Sequence, residues 1–112
     1  MTPAFRRPCA AITDPTNSVL VSSASAWEIA TEARIGKRLG VQRLLHDFDA
    51  LMAADQFTIL TFSSKHALLA GQFPQDHRDP FDRMLAAQAL IEGAQLVSND
   101  RALQAFDVRL LW

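Results

Sequence analysis

The chain has 112 residues, 49% of them hydrophobic and 21% charged, which gives room for one hydrophobic core in a single domain and argues against extensive disorder. Its 11 Lys and Arg nearly balance 12 Asp and Glu for a net charge of -1, excluding a protein that coats nucleic acid or a membrane surface and leaving any nucleic-acid contact local. A lone Cys9 without spaced Cys or His partners excludes an intramolecular disulfide and a zinc site. There is no apolar run of signal-peptide length and none near the roughly 20 residues that span a bilayer, so the expected location is the cytoplasm.

After an opening without clear periodicity, Asn17-Ser18-Val19-Leu20-Val21-Ser22 follows the turn signal Asp14-Pro15 and reads as a buried strand. In Ser25-Ala26-Trp27-Glu28 a serine precedes glutamate at capping-box spacing, and Ala26, Ile29, Ala30 and Ala33 continue as an apolar helical stripe that Gly36 ends. A second helix is predicted from about Val41 to Asp55, with Leu44, Leu45, Phe48, Leu51 and Met52 on one face. Phe57 to Thr61 reads as a strand, and Ser63 or Ser64 caps a short helix through Ala70. The polar loop Pro74 to Arg78 leads to Asp79 as N-cap and Pro80 as first helical residue of a helix reaching Gly93. Gln95 to Ser98 is the next strand, a helical turn opens at Asn99-Asp100, and Val108 to Leu111 is the last strand. This alternation predicts an α/β fold with a parallel sheet covered by helices.

In such sheets ligands bind beyond the carboxyl ends of the strands, where the following helices begin. Glu28, at the third helical position after the first strand, Asp82, at the third position of its helix, and Asp100, just past Ser98, all fall there. Carboxylates from separate strand ends suit a hard divalent cation, which activates water and stabilises a phosphate under in-line attack. An acid in the first turn of a helix is equally explained as a cap that answers the helix dipole.

The run Val19 to Ser22 into Ser25 to Ala30 resembles the segment of PIN domains in which a strand leads into a helix carrying an acid, here Glu28. His77-Arg78-Asp79-Pro80-Phe81-Asp82-Arg83-Met84-Leu85-Ala86-Ala87-Gln88-Ala89 resembles the most recognisable stretch of that family, with Asp82 matching its metal-site aspartate. Leu96-Val97-Ser98-Asn99-Asp100 resembles the motif that follows, with Asp100 as a further acid. The resemblance runs from about Arg7 to Trp112 and is closest to VapC-like toxins of toxin–antitoxin pairs. It implies a three-layer PIN-like domain and a metal-dependent endoribonuclease in which Glu28, Asp82 and Asp100 position Mg²⁺ or Mn²⁺. It further implies an RNA substrate, a cognate antitoxin that blocks the site, and a homodimer. The family opens with a strand of the Leu-Leu-Asp-Thr type whose aspartate is a metal ligand; nothing before Ser18 matches it, and Met1 to Asp14 resembles the tail of the family's first helix and its loop. The expectation is thus a PIN-like domain lacking its first strand and one metal-binding aspartate, weak or inactive in RNA cleavage.

Lesser candidates have simpler readings. His77 and Arg78 suit a solvated loop, Asp79 a cap, His46 and His66 surface or core histidines, and Trp27 and Trp112 packing. Arg34, Lys37 and Arg38 serve equally to steer an RNA backbone or to answer a helix dipole. Against the ribonuclease stand a non-catalytic module that keeps an antitoxin-binding surface, and a purely structural α/β domain that binds no divalent metal.

Overall fold

A computed structural model describes residues 3–37, 40–75 and 79–112; Arg38, His77 and Arg78 lie outside the described residues. In chain order the elements are α1 (Pro3–Thr13), β1 (Leu20–Ser22), α2 (Ser23–Arg34), α3 (Gln42–His46), α4 (Phe48–Ala54), β2 (Thr58–Leu60), α5 (Ser64–Gln72), α6 (Pro80–Glu92), β3 (Leu96–Val97), a 3₁₀ helix (Arg101–Phe106) and β4 (Leu110–Leu111). The α/β class and the alternation of elements agree with the sequence. The stretch read as a helix tail and loop is α1 followed by a turn at Asp14.

The chain falls into two compact units, one Ser18–Thr61 and the other Met1–Asn17 with Phe62–Trp112. Among the described residues the strands pair two by two. β1 runs parallel to β2 with Leu20 opposite Thr58 and Ser22 opposite Leu60. β3 runs parallel to β4 with Leu96 opposite Leu110 and Val97 opposite Leu111. Parallel neighbours require a crossover between them, supplied in the first unit by α2, α3 and α4 and in the second by the 3₁₀ helix.

In the unit Ser18–Thr61 the strand turns into helix without a loop. The Ser22 hydroxyl accepts the Ala24 N–H at 3.0 Å and is the N-cap, so the helix starts at Ser23 and Ser25 lies inside it. This corrects the capping box read at Ser25 and Glu28: Glu28 is the sixth residue of α2, in its second turn. The helix ends as expected near Gly36, whose φ of +79° suits a residue without Cβ. The helix predicted over Val41 to Asp55 is two, broken at Asp47, whose φ of −118° and ψ of 30° leave the helical region. Trp27, expected to pack, is 59% exposed.

In the other unit α5 and α6 lie antiparallel, the first turn of α5 against the last of α6 and the end of α5 against the start of α6. The core joins Ala86 and Ala89 of α6 to Leu103, Phe106 and Val108, with Phe73, Leu96 and Leu110 packed on it. Ala86 and Ala87 are fully buried; side chains this small let a helix approach its neighbours closely. Burying Leu103 and Phe106, each almost wholly enclosed, stabilises the unit by about 1.5–3 kcal/mol apiece. The boundaries of α6 follow the sequence signals. The Asp79 carboxylate accepts the Phe81 N–H at 2.9 Å, Pro80 is the first helical residue, and Gly93 closes the helix at φ +64°.

Candidate functional site

Asp82 is the third residue of α6, held at that height by the Asp79 cap one turn earlier, and is half-buried. Asp100 is the N-cap of the 3₁₀ helix. Its carboxylate accepts the Ala102 N–H at 3.0 Å, and its own N–H donates to the Ser98 hydroxyl at 3.1 Å. Asp82 and Asp100 therefore belong to one unit, each at the start of a helical element that follows a loop or strand. Glu28 belongs to the unit Ser18–Thr61, half-buried in the second turn of α2.

Among the described residues no group of three or more His, Cys, Asp or Glu stands together as metal ligands do. In donor chemistry the three carboxylates match a hard divalent cation. One oxygen of Asp100 is engaged by its cap.

His66 has a structural place. It is 3% exposed and occupies the third position of α5, where its ring takes over the task usually given to Glu or Gln in a capping box. The Ser63 N–H donates to Nδ1 at 2.9 Å, while the His66 N–H reaches the Ser63 hydroxyl at 3.5 Å. A backbone N–H can only donate, so Nδ1 is the acceptor and the ring proton sits on Nε2, facing Glu92 Oε1 at 3.1 Å. Ser63, His66 and Glu92 share the residue types of a nucleophilic triad. The Ser63 hydroxyl also lies 3.1 Å from Nδ1, so that one lone pair is shared with the Ser63 N–H at 2.9 Å, and the arrangement is that of a capping box. His46 lies at the α3–α4 break, beside a shallow hollow of about 450 Å³ lined by Leu45 to Ala50.

Sequence reasoning missed Arg83, next to Asp82. Its Nε donates to the carbonyl of Ala70 at 3.0 Å, one terminal nitrogen to that of Gln75 at 2.9 Å and the other to that of Phe73 at 2.7 Å. A planar guanidinium, with five donors in a fixed fork, reaches three separated carbonyls at once from one rigid group. Nothing local announces it, because its acceptors lie 8 to 13 residues earlier.

The parallel pairs and the helices between them define an α/β domain. The PIN domain model matches residues 4–108, and the chain belongs to the PIN domain family. PIN domains are generally nucleases and typically depend on divalent metals. No curated protein and no solved structure matches the chain. No helix among the described residues is long and apolar enough to cross a membrane.

Proposed function

We propose that this protein is an endoribonuclease acting as the toxin of a toxin–antitoxin pair, with Glu28, Asp82 and Asp100 as its acidic site residues. The observation that carries this reading is the PIN match over residues 4–108 together with the place of Asp82, on the third position of α6 behind the Asp79-Pro80 start. That position puts a carboxylate at the positive end of a 13-residue helix. The stretch from Asp79 to Ala89 supports the likeness to VapC-like toxins, and with it an RNA substrate, a cognate antitoxin and a homodimer. The donor chemistry of three carboxylates favours Mg²⁺ or Mn²⁺ over softer metals.

The test is cleavage of a mixed RNA pool by purified protein with Mn²⁺, Mg²⁺ or chelator, with Asp82→Asn as the blank. Metal-stimulated cleavage lost in Asp82→Asn is the expected result. Equal cleavage by wild type and Asp82→Asn, or none under any condition, overturns the reading. A second reading, a non-catalytic PIN domain that binds an antitoxin, is favoured by the engagement of Asp100 as a cap; it predicts a stable complex with the antitoxin and no cleavage.

A further inference from the structure

We infer that Arg83 is a positioning residue that fixes Asp82 relative to Asp100, an inference that rests on the nuclease reading of those two acids. The Arg83 guanidinium does more than close the end of α5. Its three acceptors, Ala70, Phe73 and Gln75, span the last turn of α5 and the segment after it. The same segment is tied to the 3₁₀ helix, where the Gln75 side-chain amide donates to the Ala105 carbonyl at 2.7 Å. The Phe73 ring packs on Phe106 with centroids 4.7 Å apart, and Phe106 is 2% exposed in the core. The guanidinium carbon lies over the same Phe73 ring, 5.8 Å from its centre.

These contacts form one path. It starts at Asp82, steps to its neighbour Arg83, crosses through Phe73 and Gln75, and reaches the helix that Asp100 caps. Beyond the covalent step from Asp82 to Arg83, every link is a directional hydrogen bond or a ring contact inside one compact unit. Cutting the path at Arg83 frees three carbonyls and uncouples the two helix starts, while leaving both acids and their caps in the sequence. Lysine keeps the charge but is a compact point donor that cannot span three carbonyls.

The experiment compares wild type, Arg83→Lys, Val108→Ala and Asp82→Asn in RNA cleavage, thermal melting and amide exchange. Val108→Ala trims the same core without removing any hydrogen bond of the path and calibrates what lost stability alone does to turnover. Arg83→Lys is expected to lower kcat about tenfold or more with KM little changed, the size typical when groups behind a ligand are disturbed. Val108→Ala is expected to melt earlier and keep its kcat. Exchange at the Phe81 and Ala102 amides, which the Asp79 and Asp100 caps hold, is expected to quicken in Arg83→Lys and not in Val108→Ala. The inference is overturned if kcat in Arg83→Lys follows melting temperature along the same line as Val108→Ala, or if the two amides exchange as in wild type. If the wild type itself cleaves nothing, the nuclease reading fails, and the amide exchange alone decides whether Arg83 couples the two helix starts.

Discussion

His66 Nε2 lies 3.1 Å from Glu92 Oε1, so one imidazole joins the first turn of α5 to the last turn of α6 while its other nitrogen holds the Ser63 N–H. His66→Ala is expected to cost about 2–4 kcal/mol of unfolding free energy, since it opens a cavity at a buried site and leaves a backbone N–H without its acceptor. Glu92→Gln keeps an oxygen for Nε2–H at a partly exposed position and is expected to cost less than about 1 kcal/mol. Urea unfolding of both variants measures the difference, and equal losses would show that the Nε2–Glu92 hydrogen bond and not the capping ring carries the contact.

Asp100→Asn separates two roles of one side chain. Asparagine caps helices about as well as aspartate, so stability should stay within about 0.5 kcal/mol, while the negative charge is gone. Asp100→Ala should cost about 1 kcal/mol through the lost Ala102 bond. Nuclease activity that falls in both variants marks the charge as functional; activity that falls only in Asp100→Ala marks Asp100 as a cap and nothing more.

Gln56 and Asp107 hold φ values of +62° and +61°, the left-handed region that disfavours residues with a Cβ. Gln56 follows the C-cap of α4, the position where glycine is preferred. Gln56→Gly should raise stability by about 0.5–1 kcal/mol, read as a higher urea midpoint at unchanged slope. A lower midpoint would mean that the Gln56 side chain contributes more than its backbone costs.

Asp14 accepts the Thr16 N–H at 2.9 Å and the Thr16 hydroxyl at 2.7 Å, and these bonds, the backbone one foremost, hold its carboxyl below its ordinary pKa. A pKa depressed in the folded state means that the turn is favoured above the unfolded pKa and loses that advantage as pH falls through the folded value. Thr16→Ala removes the hydroxyl donor only, so an NMR titration should show the Asp14 midpoint rise part of the way back. No movement would assign the whole effect to the backbone donor.

The sequence announced those features whose causes are local. Asp79, Pro80 and Gly93 bound α6 as read, because caps and a fixed φ act within one turn. The break at Asp47 was hidden, because the apolar spacing of Leu44, Leu45, Phe48, Leu51 and Met52 continues across it and no Gly or Pro marks it. Ser22 and Ser25 both precede plausible first turns, and the choice fell to the strand end, where pairing with Leu60 fixes Ser22. At the site, Asp82 and Asp100 were placed correctly at helix starts, whereas the height of Glu28 depended on that serine. Arg83 and the His66–Glu92 contact were illegible for a different reason: their partners are brought near by packing, up to 26 residues along the chain.

The division of the chain also sets an order of assembly. Residues 18–61 form their unit from one continuous segment, so on the ribosome that unit has all its parts as soon as Thr61 is clear of the exit tunnel. The other unit gathers Met1–Asn17 with Phe62–Trp112, and its α5, α6, 3₁₀ helix and β4 are made last. During vectorial synthesis the segment carrying Glu28 can therefore settle while Asp82 and Asp100 are still untranslated. The nascent chain therefore holds at most one of these three acids until Asp82 is added, and the two acids of the later unit enter together near the end of elongation.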